Sequence, residues 1–155
     1  MKRIIASVTN DLTTDQRIDR VCKTVVKMGF EVLLVGRRLD NSLVLRERNY
    51  KTKRLRLVFR KGPLFYAEFN FRLFFFLLFK KADLFLSNDL DTLPANYLVS
   101  VIRHLPLVHD CHEYFRGVPE LNGRKMPTRV WKWFEDLIFP KLNLVMPVNR
   151  SVADL

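Results

Sequence analysis

Three short runs in this sequence gather the side chains able to bind hydroxyls, carry charge or move a proton. They are Thr9-Asn10-Asp11, Ser87-Asn88-Asp89-Leu90-Asp91-Thr92 and His109-Asp110-Cys111-His112-Glu113-Tyr114. Carboxylates accept hydrogen bonds from hydroxyl groups, and amide side chains both donate and accept. The richest local chemistry belongs to His112 and Glu113. An imidazole titrating near neutral pH can donate to or accept from a hydroxyl or a phosphate, and the adjacent Glu113 can orient it or bind a hydroxyl itself. These two are the candidate catalytic residues. His109, Asp110, His112 and Glu113 have the composition of a metal cluster, but no HExxH spacing exists and His104 falls at a helix end, so no metal site is expected. The turn 9–14 contains no glycine, and neither GxGxxG nor a Walker A loop occurs, which argues against an NAD-binding domain and a P-loop ATPase. Plainer explanations exist for single residues. Asp11 and Asp91 would favour the positive end of the helix that follows each, by about 0.3–1 kcal/mol, and Thr13 and Thr92 read as caps.

The elements that must position these runs alternate between apolar strands and helical patterns. Residues 4–8 read as a buried first strand. Thr13 and Gln16 form a capping box, Ile18, Val21, Cys22 and Val25 recur at helical spacing, and Gly29 stands where a C-terminal glycine belongs. Strand two is 30–35, closed by Gly36. Residues 53–59 alternate, with Leu55, Leu57 and Phe59 on one face and Arg54 and Arg56 on the other, as at a sheet edge. Gly62-Pro63 breaks the chain before a helix expected over about 66–80, and 83–87 is strand four. Thr92 and Pro94 open a helix whose Leu98, Val101 and Ile102 share an apolar face. Strand five starts at 106–108 and ends near Asp110, and 111–126 is a long loop without periodicity. A helix over 128–139 should turn Val130, Trp131, Phe134, Leu137 and Ile138 inward, and 143–148 is strand six. Ser151 caps a helix that has hardly begun at Leu155, so the native chain is expected to continue. Strands alternating with helices predict an α/β fold, a Rossmann-like doubly wound parallel sheet of order 3-2-1-4-5-6. In such a sheet ligands bind beyond the carboxyl ends of the strands, at the switch point between strands one and four. All three polar runs follow strands one, four and five, so they should converge on one crevice.

The formal net charge is +11 over 155 residues, which favours polyanionic surroundings. Basic residues concentrate at Arg46, Arg48, Lys51, Lys53, Arg54, Arg56, Arg60 and Lys61, opposed by Glu47 alone. This reads as a solvated edge or as a face toward an anionic membrane, with Phe65, Tyr66, Phe69 and neighbouring aromatics dipping among headgroups. No RNP, KH or helix-turn-helix pattern accompanies the charge, so nucleic acid is not the expected partner. The apolar run 71–79 is far below the roughly 20 residues that span a bilayer, and the N-terminus meets Asn10 and Asp11 too soon for a signal peptide. The expectation is a soluble cytoplasmic protein that can sit peripherally on the inner membrane face. Cys22 and Cys111 suggest neither a disulfide framework nor a zinc site, and Cys22 falls on a helix's apolar face.

Several motifs resemble a known family. Asp15-Gln16-Arg17-Ile18-Asp19-Arg20 followed by Met28-Gly29-Phe30-Glu31-Val32 is similar to the opening of many glycosyltransferase family 4 proteins. Asn88-Asp89-Leu90-Asp91-Thr92-Leu93, Asp110-Cys111-His112-Glu113-Tyr114-Phe115 and Val118-Pro119-Glu120-Leu121 resemble a bacterial subgroup of it, in the correct order along essentially the whole chain. The resemblance implies the N-terminal, acceptor-side half of a GT-B enzyme, occupying 1–155. It also implies retaining transfer of a sugar from a nucleotide-sugar to a saccharide or lipid-linked acceptor, without a bound metal. The donor site, with its E-x7-E signature, would lie in a C-terminal domain outside this sequence. No cofactor is then expected here, the isolated chain should be inactive, and its partners would be the acceptor and that second domain. Carried over, Asn10, Asp11, Arg17, Arg20, Asp89 and Asp91 would face the acceptor, beside His112 and Glu113. Many relatives have a glycine-rich first loop, so no phosphate contact transfers to 9–14. Two other readings are a non-catalytic basic α/β module docking on anionic membranes or polymers, and a GT-B-fold epimerase, which would share the architecture without these motifs.

Overall fold

The computed structural model describes residues 1–111 and 125–147. In chain order the elements are β1 (Arg3–Asp11), α1 (Gln16–Lys27), β2 (Glu31–Arg38), β3 (Lys51–Arg56), α2 (Gly62–Phe79), β4 (Leu84–Asn88), α3 (Leu93–Arg103), β5 (Leu107–Cys111), α4 (Lys125–Ile138), a 3-10 turn (Phe139–Lys141) and β6 (Leu144–Pro147). Every strand pairing is parallel and the order is β3-β2-β1-β4-β5-β6, as the alternation of strands and helices predicts.

Strands covered on both faces read as continuous apolar runs, and Ile4, Ile5 and Ala6 show why. Ile5 packs with Leu33, Val35 and Phe85 under α2, α3 and α4. Ile4 and Ala6 pack with Val32, Leu34 and Leu86 under α1, through Ile18 and Cys22. Burial pushes the Cys22 thiol up to about 12, so it is an inert apolar side chain in practice.

Several local details differ from the sequence-based expectations. The cap of α1 is Asp15, whose Oδ1 accepts from the Ile18 N–H at 3.1 Å. Thr13 does not cap: its N–H and hydroxyl both donate to Asp11 Oδ1 at 3.0 Å, because that carboxylate is the nearer acceptor. Gly36 lies inside β2 rather than at its end. Pairing between β1 and β2 shifts between Ser7 and Asp11, and this irregularity presses the outgoing chain onto Gly36. A Cβ there would collide with the Leu12 side chain and sit 2.8 Å from Asn10 O. Gly29, with φ of 90°, ends α1 in the left-handed conformation that glycine adopts without strain.

The apolar face Leu98, Val101 and Ile102 of α3 points outward, each side chain about half exposed. Its buried residues are Leu93, Ala95, Asn96, Val99 and Ser100. The physical reason is the floor beneath. Ser7, Ser87 and His109 stand side by side in register, and Ser7 Oγ donates to Asn96 Oδ1 at 3.4 Å. On α4, Trp131 and Ile138 are buried and Phe134 packs against the core, while Val130 and Leu137 are a little under half exposed. Phe65 and Phe69, expected among lipid headgroups, belong to the core instead, and the Tyr66 ring meets Trp131 edge-on at 5.1 Å. By length and composition α2 could cross a membrane, but Phe69, Leu73 and Leu77 are wholly enclosed against the sheet.

Candidate functional site

The ends of β1, β4 and β5 meet at one rim through direct hydrogen bonds. Thr9 Oγ1, near the end of β1, donates to Asp91 Oδ2. Asn88 Nδ2 donates to Ser7 O at 3.1 Å, and the Asp89 N–H donates to Asp110 O on β5 at 3.0 Å. Arg17, in the first turn of α1, places Nη2 3.2 Å from Asp89 Oδ2. Asp89 takes a φ of 57°, an uncommon left-handed geometry for a residue with a Cβ. That turn lets Thr92 donate its hydroxyl to Asn88 O at 2.8 Å, so Thr92 sits at the start of α3 without capping it by a side-chain bond.

Asp91 is the outstanding group of this rim. It is buried, yet among the described residues its Oδ1 has no hydrogen-bond partner, and the same holds for Oδ1 of the neighbouring Asn88. Removal from water is the main reason its carboxyl is pushed up to about 7. The Thr9 hydrogen bond opposes that rise, the Asp89 charge adds to it, and Arg37 works against it. Asn70 holds the backbone in place, donating to Asp91 O at 2.8 Å and accepting from the Ala95 N–H at 3.2 Å. A lone amide between Phe69 and the apolar run 71–79 is the sequence signal for this role, since a polar group in such company costs stability unless it is bonded.

The rest of the expected acceptor set is arranged differently. Asp11 is buried beside the β2–β3 end of the rim, accepting from Ser42 Oγ and from Thr13. Burial alone would raise its pKa. Hydrogen bonds from Ser42 and Thr13 and the charge of Arg54 outweigh that and hold it below the usual carboxylate value. Asn10 is exposed and donates to Asp15 Oδ2 at 3.0 Å, while Arg20 is exposed on α1 away from these bonds. Thus Arg17, Asp89 and Asp91 come together with Thr9, whereas Asn10 and Asp11 serve the adjoining turn. His112 and Glu113 lie outside the described residues, as do the 118–121 motif and Ser151.

The basic segment does not form one face. Lys51 and Lys53 stand opposite Leu33 and Val35 in register, hence on the α2 side of the sheet, while Arg54 and Arg56 stand on the α1 side. Arg48 turns inward, donating to Leu12 O at 2.6 Å and to the Tyr50 hydroxyl at 2.7 Å. Arg54 donates to Leu43 O at 3.0 Å, and Arg60 pairs with Asp40. Arg46 and Lys61 are exposed. One membrane-facing surface made by all eight side chains is therefore corrected: Arg48 is structural, and Lys51 and Lys53 stand on the opposite side of the sheet from Arg54 and Arg56. Among the described residues no group of three His, Cys, Asp or Glu side chains is placed to hold a metal ion.

This architecture matches solved structures over nearly its whole length. MurG from Acinetobacter baumannii superposes with a TM-score of 0.62 at 11% identity, covering 98% of this chain and 43% of that one. Sucrose-phosphate synthase from Thermosynechococcus elongatus gives 0.61 at 10% identity, with 96% and 48% covered. MnaA from S. aureus, in a co-structure with UDP, gives 0.60 at 17% identity, with 99% and 40% covered. The chain thus spans less than half the length of each. These likenesses establish a Rossmann-like domain of the GT-B type, and the UDP-GlcNAc 2-epimerase from Methanocaldococcus jannaschii also superposes, at 0.56, so the fold alone does not separate transferase from epimerase. Sequence comparison with curated proteins yields no match. What separates the readings is a family model that begins at the Asp15-Gln16-Arg17 motif and runs through the rim: over residues 15–155 the chain matches, and belongs to, Glycosyltransferase Family 4.

Proposed function

We propose that this domain holds the acceptor of a retaining glycosyltransferase, with the reacting region of the acceptor lying across the carboxyl ends of β1 and β4. The observation that carries the reading is the Asp91 Oδ1, buried and without a partner among the described residues, at a rim whose Thr9, Arg17 and Asp89 side chains are all paired. A sugar hydroxyl donating to that oxygen would supply the missing bond, and charge-assisted bonds of this kind are roughly twice as strong as neutral ones. Arg17 holds Asp89 in place beside it and balances the local negative charge. His112 and Glu113 follow β5 directly in sequence and would position the attacking hydroxyl rather than form a covalent intermediate. The nucleotide-sugar would be bound by a second, C-terminal half, so the 155 residues alone should show no turnover. The acceptor would be a saccharide or lipid-linked saccharide at the cytoplasmic membrane face.

Saturation-transfer NMR of the 155-residue chain against methyl hexosides and methyl N-acetylhexosaminides tests the site directly. Ligand signals should appear, strengthen as pH rises through about 7 with the ionisation of Asp91, and weaken about tenfold in Asp91→Asn. Signals that Asp91→Asn leaves untouched would overturn the assignment, as would their absence with every glycoside. In the full-length enzyme Asp91→Asn and His112→Ala should each lower turnover on the order of 100-fold while far-UV circular dichroism is unchanged. Near-normal turnover in either variant removes that residue from the mechanism.

A further inference from the structure

A second surface, independent of the rim, has no counterpart among the described residues. Apolar residues occur on every side of α2, and a helix of that kind needs apolar surroundings all round. The sheet covers one side, through Phe65, Phe69, Leu73 and Leu77. Next to it, α3 covers another, where Arg103 Nη1 donates to Leu77 O and Lys80 O at 2.6 Å each. On the opposite flank Glu68 accepts from the N–H groups of Val58 and Phe59 at 2.9 Å, which turns that flank toward the β3 edge. Phe71, Phe75 and Phe79 follow along it at four-residue steps and are 65%, 44% and 80% exposed. The first two rings pack edge to face at 4.9 Å, so the stripe is ordered rather than splayed.

Cations border this stripe. Since α2 returns antiparallel to the strands, its last turns lie level with the start of β3, where Lys51 and Lys53 rise on the α2 side. Lys80 closes the far end, and all three lysines are exposed. Apolar rings flanked by ammonium groups, on a chain of net charge +11, match the layered chemistry of an anionic bilayer: acyl chains beneath phosphates. A second copy meeting this flank face to face would bring like charges together, which disfavours pairing.

We propose that the outer flank of α2 rests on an anionic membrane surface, with Phe71, Phe75 and Phe79 among the headgroups and Lys51, Lys53 and Lys80 against lipid phosphates. The rim does not enter this argument, so the surface stands or falls separately from acceptor binding.

Flotation of the 155-residue chain with phosphatidylcholine vesicles, with or without phosphatidylglycerol, is the test. Partitioning should be at least about tenfold stronger onto the phosphatidylglycerol vesicles and should fall by about fivefold for each of Lys51→Gln and Lys53→Gln. The triple variant Phe71→Ser/Phe75→Ser/Phe79→Ser should lower it at least about tenfold. Phe71→Trp, which keeps an apolar ring, should be quenched by brominated lipid beyond the background of the two native tryptophans. No flotation with phosphatidylglycerol vesicles overturns the proposal, as do flotation unchanged in the triple variant and absence of extra quenching. Light scattering supplies the last outcome: a dimer abolished by the triple variant, with no vesicle binding, would give the flank to a second copy and overturn the membrane assignment.

Discussion

The rim of the sheet and the outer flank of α2 depart from the usual partition of side chains in opposite directions. At the rim a carboxylate is buried with one oxygen unbonded among the described residues. On the flank three phenyl rings are left in solvent. Either departure lowers stability, the first through desolvation without compensation and the second through forgone apolar burial. Neighbouring positions show that the fold had alternatives: Asp11 is buried but fully bonded, and Phe69 is buried two residues from the exposed Phe71. The difference between a satisfied and an unsatisfied group of the same type is what points to a ligand in one region and to a surface partner in the other.

Substitutions can break or sharpen this contrast, and the largest effect should come from the covered side of α2. Phe69→Ala should cost about 3–5 kcal/mol in urea denaturation, since the ring is wholly enclosed and its removal leaves a cavity. A cost near zero would mean that α2 is not anchored to the sheet. Next in size is Asp91→Asn. The carboxyl binds its proton more tightly in the folded state than in the unfolded chain, so the contribution of Asp91 to folding stability is most favourable below about pH 4 and declines as pH rises toward about 7. Above that the cost is constant, up to about 4 kcal/mol for a shift of this size. Asp91→Asn should therefore be more stable than the parent at pH 8, with the gap closing toward pH 4, while losing acceptor binding. A parent protein more stable than the variant at pH 8 would show that the carboxylate is satisfied after all. Asn70→Ala should cost about 1–3 kcal/mol because it orphans Asp91 O and the Ala95 N–H, and a smaller loss would mean water replaces the amide. Smallest of all, Phe75→Ser should stay within about 0.5 kcal/mol, as for other surface positions. A loss approaching that of Phe69→Ala would show that the flank is covered by protein.

Much of the rim was legible beforehand. Its three runs follow β1, β4 and β5, and parallel strands in this order must end on the same side. What could not be read was which oxygen would lack a partner. Asp11 and Asp91 look equivalent in sequence, each beside a threonine or followed by a helix. The irregular pairing after Ser7 delivers Thr13 and Ser42 to Asp11, whereas Asp91 receives Thr9 on one oxygen only. The cap of α1 was misplaced for the same cause: Thr13 had a closer acceptor than the helix could offer.

By itself the sequence determined the number, kind and order of the elements, the edge position of β3 and the burial of Cys22, because these follow from local patterns of polarity and from the chirality of parallel crossovers. Tertiary structure decided which face of each helix meets the sheet. Leu98, Val101 and Ile102 form an apolar stripe at helical spacing, yet Asn96 goes inside, where the floor offers it Ser7, and Ser100 follows on the same side with its hydroxyl donated to Tyr97 O. In α2 apolar residues surround the axis, so spacing alone could not separate Phe69 from Phe75. Periodicity reports that a helix has sides; only the partner surface assigns them.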